Sequence, residues 1–136
     1  MMVELDHLVG YMGHAASVVS SDNTAVAMGS GSLPALATPA LAALAEQAGM
    51  NAVQSALPLG MTTVGTEIHL KHLTATPVGH NIQAEAVVTA VSGRKIQYRI
   101  QAFDEREKIA EGTHERFIVE AERFMNRLAE KKPKGS

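Results

Sequence analysis

ALATPALAALAEQAGMNAVQSAL, residues 35–57, is built from alanine, leucine and other helix formers and carries one charge, Glu46. Thr38 suits a helix N-cap and Pro39 the first helical position. From Ala40 onward the spacing predicts a helix over 39–57, stopped by Pro58 and Gly60. Ala40, Leu41, Leu44, Ala45 and Ala48 follow helical spacing, while Ala42 and Ala43 keep the other side small. A helix apolar nearly all round is a buried helix. Something large must therefore be wrapped around it.

The sequence downstream supplies the wrapping. From Met61 the apolar period changes from 3.6 to two. MTTVGTEIHLKHLTAT (61–76), NIQAEAVVTAV (81–91), RKIQYRIQAF (94–103) and KIAEGTHERFIV (108–119) read as long antiparallel strands. Turn residues separate them at 77–79, Ser92-Gly93 and 104–106. Ala121, Phe124, Met125, Leu128 and Ala129 return to helical spacing, so a short amphipathic helix closes the chain. Upstream, LVGYMGHAASVV (8–19) reads as a strand, residues 20–24 as a turn, AVAMG (25–29) as a second short strand and GSGSLP (29–34) as a loop. That loop is not a phosphate-binding G-x-G-x-x-G, because Pro34 stands at the third glycine position. Helix and strands are segregated along the chain, which argues an α+β class. The expected architecture is an antiparallel sheet of five or six strands around one hydrophobic helix, the hotdog arrangement.

Composition bounds what such a domain does. The 136 residues suffice for one core, so a single domain over 1–132 with a short tail, 133–136, is expected. A net charge of −2 gives no reason to expect a nucleic-acid partner or a polybasic membrane anchor. No apolar run approaches the roughly 20 residues of a membrane span. The acidic start MMVELDHLVG is a poor signal peptide, so the cytoplasm is the expected location. With no cysteine, the chain has neither disulfides nor a thiolate nucleophile.

Few residues are placed to do chemistry. Glu46 has no cationic partner within its own helix; it either meets solvent or a strand arginine, or it is functional. In the following strand, alternation sets Ile68, Leu70, His72 and Thr74 on the face toward the helix, with His69 on the other. His69 and His72 therefore make no metal pair despite their H-x-x-H spacing, and no metal site is expected. His72 is either a hydrogen-bonded structural histidine or a proton carrier. Thr38 either caps the helix or sits where first-turn N–H groups hold an oxygen gaining charge. Thr38 and Glu46 are separated by about 12 Å along the helix and about 80° around it. Substrate, a histidine or a second subunit must lie between them. GTHERF (112–117) is either a solvated strand face or a place where Arg116 pairs with a carboxylate.

Thr38, Glu46 and His72, followed by TATPVG (74–79) and GTHERF (112–117), resemble the fluoroacetyl-CoA thioesterase-like family of hotdog proteins. The resemblance runs from about residue 10 to Arg127. It implies that Thr38, Glu46 and His72 form a catalytic set, with Gly65 and Arg116 near the site, in a homodimer with active sites at the subunit interface. The loop before Thr38 contains no aromatic ring, so fluoroacetyl selectivity does not follow and the acyl group stays open. The implied reaction is hydrolysis of a short-chain acyl-CoA thioester to the free acid and coenzyme A, without a cofactor. Glu46 would serve as nucleophile or base, and His72 would polarise the thioester or carry the proton. Thr38 would orient water or take the acyl group. Arg94 and Lys95, after the 92–93 turn, are expected to meet the CoA phosphates. The alternatives are a non-catalytic acyl-CoA-binding module and an enoyl-CoA hydratase-type enzyme.

Overall fold

The alternating segments form one antiparallel sheet. In a computed structural model describing residues 5–135, the strands are β1 (Met12–Val18), β2 (Met61–His72), β3 (Asn81–Ser92), β4 (Lys95–Asp104) and β5 (Lys108–Glu120). Their spatial order is β1-β3-β4-β5-β2, with every neighbouring pair antiparallel. The helices are α1 (Ala25–Met28), α2 (Thr38–Val53) and α3 (Ala121–Ala129).

Alternation along the strands decides which face receives α2. Ile82, Ala84, Ala86 and Val88 of β3 and Ile96, Tyr98, Ile100 and Ala102 of β4 point inward and are buried. They meet Leu41, Leu44, Ala45, Ala48, Ala52 and Val53 of α2 in one core. Small residues let helix and sheet approach closely. A side chain at Gly13 on β1 would collide with the α2 backbone at Ala48 and Ala52.

Three expectations are corrected. Residues 25–28 are helical rather than a strand: the Thr24 hydroxyl accepts from the Ala27 N–H, and Gly29 closes the turn at φ +71°. These are helix start and stop signals that outweigh the β-branched valine. The regular part of the central helix ends at Val53, and residues 54–56 tighten into a 3-10 turn. One side of α2, including Thr38, Ala43, Gln47 and Asn51, stays exposed, because a single sheet covers only one face of the helix. Among the described residues no helix is long and apolar enough to cross a membrane.

Candidate active site

The N-terminus of α2 departs from the expected cap. Ala37 occupies the N-cap position and no side chain caps the helix. Thr38 begins the first turn with its hydroxyl turned away, 2.9 Å from Nδ1 of His72. The structural role expected for this threonine is thus absent, and its oxygen is committed to a histidine. His72, the last residue of β2, is half-buried, whereas His69 on the opposite face is exposed. Burial lowers the His72 pKa, against a smaller upward effect of a backbone hydrogen bond to Thr74. The ring is therefore held toward its neutral form, ready to accept a proton.

Glu46, two turns further along α2, belongs to a different group. Its Oε2 lies 3.8 Å from Nη1 of Arg116, so this carboxylate meets both a strand arginine and solvent. Arg116 is buried among fixed acceptors. Its Nε donates to Thr63 Oγ1 at 2.7 Å and its Nη2 to the Thr63 carbonyl at 3.0 Å. Gly65 faces the same carboxylate; a Cβ there would lie 2.5 Å from Glu46 Oε2. Glu46 keeps 44% of its side chain exposed while Arg116 keeps 8%, so the carboxylate is held from behind and open in front.

The structure therefore joins Thr38 to His72 and Glu46 to Gly65 and Arg116. It does not bring these two groups into contact within one chain. In the β5 register, His72 pairs with Ala110 and Gly65 with Arg116, about 20 Å apart along the strand at about 3.3 Å per residue.

Arg94 and Lys95, adjacent in sequence, diverge. Lys95 leans toward Glu115 at 3.9 Å on the outward face. Arg94 is exposed beside the Gly93 turn and lines a groove of about 100 Å³ with Arg123 and Arg127 of α3.

His114 is the residue that sequence reasoning passed over. GTHERF is solvated on one side only: Thr113 and Phe117 are exposed, while His114 and Arg116 are 3% and 6% exposed. The His114 ring stacks on Tyr98 with centroids 5.6 Å apart. Its Nδ1 lies 2.7 Å from the Glu67 carbonyl and its Nε2 3.2 Å from Arg116 Nη1. The available signal was double: alternation puts His114 and Arg116 on the same face as Ile118, and a glycine, Gly49, interrupts the helix opposite. A Cβ at Gly49 would lie 3.0 Å from the His114 ring. Burial lowers the His114 pKa, and Arg116 lowers it further; the Glu67 carbonyl, Glu46 and Glu115 oppose this.

A family model for fluoroacetyl-CoA-specific thioesterases matches residues 19–122. The chain belongs to this family. The fluoroacetyl-CoA thioesterase of Streptantibioticus cattleyicolor is 34% identical over 99 residues, covering 73% of this chain and 71% of that protein. The solved structure of the fluoroacetyl-CoA thioesterase FlK superposes with a TM-score of 0.85 at 29% identity, over 92% of this chain and 97% of that one. A point mutant of FlK in complex with acetyl-CoA gives a TM-score of 0.84 at 29% identity, over 92% and 98% of the two chains. A thioesterase superfamily member from Thermus thermophilus, 23% identical over 90% of this chain and 93% of its own, shares the fold at a TM-score of 0.79. The hotdog architecture expected from the period switch is the one these structures share.

Proposed function

We propose that the protein hydrolyses a short-chain acyl-CoA thioester to the free acid and coenzyme A, using Thr38, His72 and Glu46 in a site shared by two copies of the chain. The observation that carries this reading is the 2.9 Å hydrogen bond between the Thr38 hydroxyl and His72 Nδ1 at the start of α2. A neutral imidazole in that position takes the proton of the oxygen that adds to the thioester carbonyl, either the Thr38 hydroxyl or a water that it orients. The same proton then passes to the departing thiolate; where Thr38 has taken the acyl group, a water that gives its proton to the imidazole cleaves the ester to the free acid and the proton returns to the threonine oxygen. First-turn N–H groups of α2 lie beside this pair and suit the oxygen that becomes negative. Glu46 acts as base on the attacking water, with Arg116 and Gly65 fixing its place.

The separation of Glu46 from Thr38–His72 supports the homodimer. Thr38 and the front of Glu46 are both open in one chain. β2 is a 12-residue edge strand with only β5 beside it. A long unpaired edge is a ready surface for a second copy. In this reading the partner contributes the missing half of each site, and the exposed side of α2 is covered by pairing. The cytoplasm, where coenzyme A is available to a cysteine-free enzyme, is the proposed location.

The loop 29–35 before Thr38 lacks bulky rings. The proposed acyl group is therefore a plain short chain rather than fluoroacetyl alone. Free-thiol release across acetyl-, propionyl-, butyryl- and fluoroacetyl-CoA tests the proposal, with release from at least the unsubstituted short chains expected. No release from any of them, with binding retained, would leave a binding module. Loss of enoyl absorbance from a crotonyl-CoA control without thiol release would instead mark a hydratase.

A further inference from the structure

We propose that His114 is a positioning residue that acts through Arg116 on Glu46, and that it does so only while its ring is neutral. The inference rests on the reading of Glu46 as a member of the catalytic set.

The hydrogen-bond partners fix the tautomer. The Glu67 carbonyl can only accept, so Nδ1, 2.7 Å away, carries the proton. In a neutral ring Nε2 is then a bare lone pair. A guanidinium can only donate, so Nη1 of Arg116, at 3.2 Å, donates to that lone pair. Thr63 takes Nε and Nη2. Each guanidinium nitrogen thus has an assigned acceptor, and Nη1 is the one that also faces Glu46. Without the His114 acceptor, the guanidinium keeps only its Thr63 anchors at Nε and Nη2, and the Nη1 corner that faces Glu46 loses its one close acceptor.

The surroundings hold the ring in place. Tyr98 stacks against one face. Gly49 and Gly65 leave room along its edge, where Cβ atoms would sit 3.0 Å from Cδ2 and 3.5 Å from Cε1. Glycine is a poor helix former, so its place inside α2 calls for a packing reason. At position 49 the space of a side chain is filled by the His114 ring.

Protonation would undo the arrangement. A proton on Nε2 turns the acceptor into a donor and places a positive ring against the Arg116 guanidinium. The groups facing His114 are Arg116 of β5, the Glu46 carboxylate of α2, the Tyr98 ring of β4 and the Glu67 carbonyl of β2; Glu115 lies beside it on β5. Burial and Arg116 outweigh the acidic neighbours, so the neutral state is the resting one.

The test compares His114→Leu, which keeps bulk but has no acceptor, with His114→Gln, whose side-chain carbonyl supplies one without titrating. In thiol-release assays at pH 7.5, His114→Leu should lower kcat about 10-fold or more with KM changed less than about 3-fold, as expected for a misplaced catalytic group. His114→Gln should remain within about 3-fold of wild type. Adding His114→Leu to Glu46→Gln should cause little further loss, because residues acting in series are non-additive. If Glu46→Gln alone keeps wild-type turnover, the reading of Glu46 has failed. If Glu46→Gln is inactive but His114→Leu turns over normally, or if the two losses multiply, the positioning role alone is overturned. Should His114→Leu not fold, the pH profile of His114→Gln decides. Between pH 7.5 and 4.5 kcat should fall further in wild type than in His114→Gln, because protonation of His114 adds a loss of up to about 10-fold to that from His72. Identical falls would refute the proposal.

Discussion

The two halves of the candidate site are built in opposite ways. Around Arg116, Thr63 supplies two acceptors, His114 one lone pair and Glu46 the counter-charge, with the guanidinium almost wholly buried. Around Thr38, one hydrogen bond to His72 accounts for the hydroxyl, and the threonine is exposed. A buried cation needs a full set of partners, because an unmatched buried charge costs several kcal/mol. A hydroxyl at the surface needs none, so its single bond to a neutral imidazole is the informative one. The dense half fixes position; the sparse half is free to exchange protons with whatever docks against it.

The largest effects should come from removing the reacting groups. Glu46→Gln and His72→Ala are each expected to lower kcat/KM by about 10²-fold or more, the usual scale for an acid–base or nucleophilic group. Thiol release under single-turnover conditions measures it, and near-normal turnover in either variant would dissolve the two-part site.

Gly65→Ala sharpens the comparison by disturbing the dense half alone. The added methyl would lie 2.5 Å from Glu46 Oε2 and 3.3 Å from Arg116 Nη1, so the carboxylate must move. A loss in kcat on the order of 10-fold is expected from such a displacement, with the circular-dichroism spectrum unchanged. Full activity would mean that the position of Glu46 is not critical.

Thr38→Ala probes the sparse half. A true helix cap replaced by alanine costs about 1 kcal/mol. Since Ala37 holds the cap position, Thr38→Ala should alter unfolding free energy by less than about 0.5 kcal/mol while lowering activity. Urea unfolding separates the outcomes, and a cap-sized loss of stability would restore the structural role.

Acid should loosen both halves. His72 and His114 have pKa values lowered in the folded state, by burial first. The unfolded value is about 6.5. Their contribution to stability is therefore present above about pH 6.5 and is lost as pH falls through the lower folded values. Urea midpoints measured from pH 7.5 to pH 5 should decline, and less steeply in His114→Gln.

The smallest effect belongs to the exposed cations. Arg94→Ala and Lys95→Ala should each weaken acyl-CoA binding by about 0.2–1 kcal/mol, with KM rising as salt is added and kcat nearly constant. A KM that ignores ionic strength would remove both from the phosphate contacts.

Much of this molecule is legible from pattern. The switch of apolar period at Met61 gives the sheet, and the alternation of Ile68, Leu70 and His72 places His72 toward the helix. What pattern misses is local. Helix signals at Thr24 and Gly29 compete with an apolar run too short to read by period, and the run looks like a strand. The partner of Glu46 is 70 residues away on a strand, β5, and only the register Gly65–Arg116 brings it near. Nor does spacing show that the Thr38 oxygen points away from its own helix, because the cap is decided one residue earlier by the backbone turn at Ala37.

Gly49 carries a consequence for anyone engineering this protein. By helix propensity alone, Gly49→Ala is a standard stabilising change, worth up to roughly 1 kcal/mol. Here the new methyl would press on a ring held by a 2.7 Å hydrogen bond on one side and a stacked tyrosine on another. A choice made from helix propensity and a choice made from this packing therefore disagree at this position. The first points to alanine, and the second holds the residue at glycine.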